Sequence, residues 1–332
     1  ARIACNDRMF SELLNKHSPD LIFLPTIFGT NDIRLLKKAH SLTIPTVGMI
    51  KSWDNLIGKD PLLLWPDRLI VHNEIVKRYA ITMHRYPERR IYVSGIPQMD
   101  VYVHTENLPS KEVFFQRLGL NPHKRLIVYS AVGKLISYHE PEIISYLGAL
   151  ICSGKISEDL QFLVRLHPAY PSDEANFKTQ QGMVVMRPGK VGIERNPLRF
   201  DFEFDKEEAE ELMATLLYAD VLIQSGSTMA IDAACFNTPI ISLGYDGPYV
   251  NERTERSTRR LLVKDHFKLI LDTGGTRAVY SEAELITAIR TYLTDPHKDS
   301  EGRARIVSEQ CYKLDGKSGK RIGDYLGECM TA

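Results

Sequence analysis

Ser225, Gly226, Ser227 and Thr228 follow the apolar run Val221-Leu222-Ile223-Gln224 and precede the helix-like segment Met229-Ala230-Ile231-Asp232-Ala233-Ala234. Hydroxyls and backbone N–H groups in such a turn are donors suited to phosphate oxygens, and Gly226 allows close approach of the backbone. The turn itself contains no lysine. Its predicted chemistry is the binding of an anion at the start of a short helix.

A second buried run, Pro239–Leu243, follows after Asn237-Thr238, so the whole stretch reads as strand, turn, helix and strand of an α/β sheet. Other strand ends carry candidate chemistry as well. Arg165-Leu166-His167-Pro168 follows the strand Gln161–Val164, which places His167 at the carboxyl end of a parallel strand, where ligands bind in open α/β sheets. Pro168 fixes the chain behind it. His167 can donate to a phosphate or carry a proton, and Arg165 offers a fork of donors. Ser130-Ala131-Val132-Gly133-Lys134 ends another strand, with Gly133 and Lys134 as candidate diphosphate contacts. Asp232 lies beyond Ser227 on the following helix, within reach of a ribose hydroxyl. In the first half, Lys51-Ser52-Trp53-Asp54 ends the strand Pro45–Ile50. Asp54 is there either a general base for an acceptor hydroxyl or a turn-forming residue.

Two tempting motifs fail. Asp315-Gly316-Lys317-Ser318-Gly319-Lys320-Arg321 contains Gly-Lys-Ser, but the glycine that a P-loop needs five positions earlier is Cys311. The ten histidines form no HExxH pair, and no DxD triplet offers a metal clamp for a diphosphate. The expected chemistry needs neither metal nor bound cofactor.

The elements that must position these residues alternate along the chain. Short apolar runs at Leu21–Leu24, Pro45–Ile50, Arg68–His72, Ile91–Ser94, Leu126–Ser130, Gln161–Leu166, Val184–Met186, Val221–Gln224 and Pro239–Leu243 are separated by helix-length segments. That pattern predicts parallel sheets covered on both faces. A polar, proline-containing connection near Thr105–Pro109 divides the chain. The predicted domains are 1–108, abbreviated at its start, 109–300, and terminal helices at 301–332 packing back toward the first domain.

At 43% apolar and 25% charged residues, the chain is globular. Lys+Arg and Asp+Glu both total 42, so the electrostatic footprint of a nucleic-acid binder is missing. Five widely spaced cysteines without a CxxC pair argue for a reducing compartment. No apolar run approaches the ~18 residues of a membrane span, which predicts a cytoplasmic protein, peripheral at most on the cytoplasmic face of the membrane.

The motifs Arg165-Leu166-His167-Pro168, Tyr218–Thr228 and Leu314–Ile322 resemble the two-domain GT-B glycosyltransferases. The likeness is to the bacterial branch with teichoic-acid CDP-glycerol glycerophosphotransferases and capsule or surface-polysaccharide transferases. Asn237-Thr238-Pro239 and the preceding turn also look like non-hydrolysing UDP-GlcNAc 2-epimerases, which share the fold. The resemblance implies two Rossmann-like doubly wound domains facing a cleft, with a nucleotide-activated donor gripped by the second. His167 and Ser225–Thr228 then hold donor phosphates and Asp232 faces the ribose. The implied activity is sugar transfer from a nucleotide-sugar donor to a hydroxyl of a glycan or lipid-linked acceptor, with Asp54 and His167 as catalytic candidates. Glycerophosphate transfer, 2-epimerisation and a nucleotide-sugar-binding regulator are the alternatives.

Overall fold

The computed structural model describes residues 8–58, 62–133, 135–191, 202–203, 205–248 and 257–331. The chain divides into two compact units, Ala1–Val103 with Val307–Ala332, and His104–Ile306. The division follows directly on the 3-10 turn Pro97–Val103.

In the first unit, α1 (Arg8–His17), β1 (Ile22–Leu24), α2 (Thr30–Ser41), β2 (Thr46–Met49), α3 (Asn55–Gly58), β3 (Arg68–Val71), α4 (Glu74–Thr82) and β4 (Ile91–Val93) alternate. The strands form a parallel sheet in the order β1-β2-β3-β4. Consecutive residues Leu69, Ile70 and Val71 are all fully buried, which requires cover on both faces of the sheet. α4 starts where it does because Asn73 Oδ1 accepts the Val76 N–H at 2.9 Å.

The second unit carries α5 (Lys111–Arg117), β5 (Arg125–Ser130), α6 (Glu140–Cys152), β6 (Leu160–Arg165), β7 (Met183–Met186), β8 (Lys190–Val191), β9 (Phe202–Glu203), α7 (Lys206–Tyr218), β10 (Val221–Gln224), α8 (Met229–Cys235), β11 (Ile240–Leu243), α9 (Arg259–Leu262), α10 (Asp265–Asp272), β12 (Arg277–Val279) and α11 (Glu282–Thr294). Six strands make a parallel sheet ordered β12-β11-β10-β5-β6-β7, beside the small antiparallel pair β8–β9. From β5 the chain winds outward through β6 and β7, then returns to β10 on the other side of β5. That reversal creates a topological switch point between β5 and β10.

Two helices, α12 (Ser300–Gln310) and α13 (Ser318–Thr331), close the chain. They are separate because Tyr312 and Gly316 turn the backbone between them through positive φ. In the first unit, Ile322 and Tyr325 of α13 share a core with Val47, Met49 and Ile70. Tyr325 stacks on Tyr92 with centroids 4.2 Å apart. The Asp100 carboxylate caps α13 from a distant part of the chain, accepting the Ser318 N–H at 2.9 Å and the Gly319 N–H at 2.7 Å. Arg321 Nε donates to the Ser94 carbonyl at 2.7 Å. The Gly-Lys-Ser sequence is therefore part of a helix start locked onto the first unit.

Replacing Asp100 by Ala leaves two N–H groups of α13 without their acceptor and is expected to cost about 1–2 kcal/mol, while Asp100→Asn recovers most of it. Urea unfolding of the three proteins measures the difference.

Candidate functional site

Register places Ser130 of β5 beside Arg165 of β6 on one side and Gln224 of β10 on the other. The turns that leave these three strands therefore emerge side by side at the carboxyl edge, around the switch point. Open α/β sheets bind ligands in the crevice formed there.

The turn after β5 is held by a carboxylate. Glu140, at the start of α6 and fully buried, accepts the Val132 N–H at 2.6 Å through Oε1. Its Oε2 accepts the Gly133 N–H at 3.0 Å and the Ser172 hydroxyl at 2.8 Å. One side chain thus ties the turn after β5 to the loop after β6. Burial pushes the Glu140 carboxyl up to about 7, against the opposing pull of these donors. Gly133 has φ +91°, and a Cβ there would lie 2.6 Å from the Tyr170 carbonyl oxygen and 3.1 Å from His167 Cβ. Only glycine lets the two loops meet so closely.

His167 has a fixed tautomer. The backbone N–H groups of Ala169 and Tyr170 both donate to Nδ1, each at 3.1 Å. Nδ1 is then the lone-pair nitrogen, so the proton sits on Nε2, which is a donor. Burial holds the imidazole well below its usual range, at about 4. At neutral pH this ring is a neutral hydrogen-bond donor and not a cation.

The turn after β10 is braced from within. Gln224, fully buried, accepts the Ser227 N–H at 2.7 Å through Oε1 and donates through Nε2 to Ser242 Oγ at 2.7 Å. Ser227 Oγ in turn accepts the Met229 N–H at 3.3 Å. The backbone donors of Ser227 and Met229 are thereby engaged, which leaves recognition of an anion to side chains more than the sequence implied. Gly226 has φ +69°, and a Cβ there would fall 2.7 Å from Leu261 Cβ. The segment Ser257–Leu262 is thus packed directly against the turn.

Of the residues singled out in the sequence, Gly133, His167, Ser225, Gly226, Ser227 and Thr228 belong to these adjoining turns. Asp232 is half-buried on α8, directly beyond them. Lys134 lies outside the described residues. Arg165 is a correction: its side chain is only 4% exposed, with Nη1 on Met186 Sδ at 3.0 Å and 3.5 Å from Glu211 Oε1. Its strand position turns the guanidinium against α7 and β7, so it braces the sheet rather than offering a fork at the edge. Asp54 belongs to the first unit, where its Oδ1 accepts the Ser52 hydroxyl at 2.6 Å and its carbonyl accepts the N–H groups of Ile57 and Gly58. It therefore also starts α3. Sequence reasoning missed Glu140, which reads as an ordinary acidic first-turn residue. It also missed Gln224, whose signal was a polar side chain ending an apolar strand. Among the described residues, no cluster of three or more His, Cys, Asp or Glu could hold a metal ion.

Residues 64–328 match the profile of the CDP-glycerol:poly(glycerophosphate) glycerophosphotransferase family, and the chain belongs to that family. It is a family of transferases. No curated protein matches the chain. Among solved structures, UDP-GlcNAc 2-epimerase from Neisseria meningitidis, bound to UDP-GlcNAc, is similar at 14% identity and a TM-score of 0.63, over 97% of this chain and 80% of that one. A glycosyltransferase from Rickettsia africae is similar at 12% identity and 0.53, over 96% and 79%. The wall teichoic acid polymerase TagF is similar at 17% identity and 0.51, over 80% of this chain and 58% of that one. At these identities the likeness establishes the fold, two parallel α/β sheets of GT-B type.

The buried Glu140 and the half-buried His167 give opposite pH signatures. The folded state refuses a proton at His167 between its usual value near 6.5 and about 4, so stability falls as pH drops through that window. The advantage of wild type over His167→Ala is expected to shrink by about 3 kcal/mol between pH 7 and pH 4. Glu140 is held above its usual 4.5, at about 7. Its contribution is fullest below pH 4.5 and is lost as pH rises through 7, so the advantage over Glu140→Gln shrinks in the other direction. Chemical denaturation across pH 4–8 reads both.

Proposed function

We propose that this chain transfers a group from a nucleoside-diphosphate-activated donor to a hydroxyl of a cell-envelope glycan or lipid-linked polymer. The proposed donor is a nucleotide-sugar, its diphosphate lying at the switch point of the second unit. The observation that carries this reading is the adjacency of three strand-end turns, with His167 preset as a neutral donor. Neutral donors fixed before the substrate arrives stabilise charge that grows on a leaving diphosphate, because no reorganisation is needed as the charge develops. The Ser225, Ser227 and Thr228 hydroxyls and the Nε2–H of His167 supply such donors, and Asp232 takes the ribose. With no DxD clamp in the sequence, binding relies on these groups and not on a divalent cation. Asp54 is the proposed base for the acceptor hydroxyl. Its side chain already accepts a proton donor, Ser52 Oγ, so the carboxylate is oriented. The acceptor is met at the cytoplasmic face of the membrane. Among the described residues, no helix is long and apolar enough to cross it.

Family membership favours a second reading, transfer of glycerophosphate from CDP-glycerol. The two reactions break different bonds. Sugar transfer cleaves the bond between the anomeric carbon and oxygen and releases a nucleoside diphosphate. Glycerophosphate transfer cleaves the phosphoanhydride and releases a nucleoside monophosphate. Incubation with UDP-, GDP- and CDP-linked donors, followed by identification of the released nucleotide, separates them. Release of neither, with donor still bound, excludes both transfers.

His167→Ala is expected to weaken donor binding by about 10- to 100-fold, as one charge-assisted hydrogen bond to phosphate is lost. Calorimetry in EDTA measures it, and wild-type affinity is expected to stay within about tenfold of its value with magnesium. Asp54→Asn is expected to lower kcat by about 10²- to 10⁴-fold with donor affinity nearly unchanged, since a base acts in the transition state. Steady-state kinetics beside calorimetry distinguishes this from loss of a turn, which lowers stability and binding together.

A further inference from the structure

Beside the turn after β10 stands a group of buried polar atoms that the protein does not satisfy. Among the described residues, Ser137 Oγ, Thr258 Oγ1 and Arg260 Nε are buried and have no hydrogen-bond partner. The residues Ser137, Ser225 and Thr258 are each no more than 2% exposed. Leaving a buried hydroxyl or guanidinium N–H unsatisfied costs free energy, so several together mark a place prepared for something polar.

The contacts bring these atoms into one neighbourhood of the second unit. Arg260 Nη2 donates to the Ile136 carbonyl, next to Ser137, in the turn closed by the Ile136 and Ser137 N–H groups on the Gly133 carbonyl. Leu261, the next residue, abuts Gly226. Thr258 is positioned by its own N–H, which donates to Asp246 Oδ1 at 2.9 Å. That bond occupies one oxygen of the carboxylate. The segment Ser257–Leu261 therefore bridges the turn after β5 and the turn after β10. Arg260 makes no ion pair among the described residues, unlike Arg165, which has Glu211.

We propose that Arg260, with the hydroxyls of Ser137 and Thr258, forms a subsite for the donor phosphate farther from the nucleoside. This rests on the donor-binding reading above and adds to it the cation that the strand-end turn lacks. The guanidinium and two hydroxyls are donors only or can act as donors, which suits a phosphate dianion and disfavours a neutral sugar. The phosphate nearer the nucleoside is left to Ser225–Thr228 and His167.

The test compares CDP and UDP with CMP and UMP by calorimetry, using wild type, Arg260→Met and Thr258→Val, with inorganic diphosphate as a nucleoside-free probe. Arg260→Met keeps the aliphatic stem and removes the donors. The expected result is a loss of about 10- to 100-fold for the diphosphates and for inorganic diphosphate, with monophosphate affinity unchanged, since a charge-assisted bond to the outer phosphate is lost. Thr258→Val is expected to lose less, about 3- to 10-fold, with the same selectivity. Equal losses for mono- and diphosphates, or no loss, overturn the subsite while leaving the donor-binding reading intact. If wild type binds inorganic diphosphate but none of the nucleotides, the donor reading fails and the subsite is judged on inorganic diphosphate alone. If wild type binds none of the probes, both fail. Should Arg260→Met not fold, Thr258→Val and Ser137→Ala are read by the same selectivity.

Discussion

A strand that ends at a switch point delivers its backbone into a turn with no neighbouring strand to bond, and every buried N–H must still find an acceptor. After β5 that acceptor is Glu140, which takes the N–H groups of Val132 and Gly133 and the hydroxyl of Ser172. The rest of the site depends on this arrangement. With the turn drawn in, Gly133 approaches Tyr170 and His167 more closely than any side chain would permit. The loop carrying His167 is then seated so that its own N–H groups fix the tautomer of the ring. Burial makes this acid costly to ionise, and the donors that depend on it make it costly to lose, which ties the shape of the edge to one carboxyl group.

The β10 side is solved by different means. Gln224 has both an acceptor and a donor end, and it braces the Ser227 N–H while reaching Ser242, which meets Thr276 in turn. A neutral amide suits a position beside the turn proposed for the donor diphosphate, since a carboxylate there would repel it. The two turns flanking the switch point thus differ in charge for a physical reason. Glu140 faces backbone donors inside the fold, whereas the β10 turn is braced by a neutral amide and leaves Thr228 exposed.

The sheet was legible in the sequence because buried parallel strands are continuous apolar runs. Val221–Gln224 falls where its composition put it, β11 begins one residue later than predicted, and β5 and β6 begin one residue earlier. β12, with Arg277 and Ala278 in its three residues, has no such run and escaped notice as an edge strand. Helix breaks set by single positive-φ residues, as at Tyr312, also escaped, since tyrosine carries no turn signal. Strand-end serines, glycines and His167 were readable because position at a carboxyl edge already restricts what a residue can do. Glu140, Asp246 and Arg260 were not, because each acts through contacts that only the folded loops create.

Arg165 and Arg260 show how little residue type alone decides. Both are arginines near a strand-end turn, and the first had the better sequence context. In the fold Arg165 has its charge compensated by Glu211, whose own carboxyl burial pushes up despite the nearby guanidinium. In such a buried pair the charge of the guanidinium already has its counter-ion within the protein. Arg260 is anchored through one nitrogen to a carbonyl, which neutralises no charge, and its Nε has no partner among the described residues. Desolvating a cation without a counter-ion is unfavourable, so such a group persists where an anion arrives to complete it. The difference between a bracing arginine and a binding one is thus the presence of a carboxylate on the opposing helix, which only the folded chain reveals.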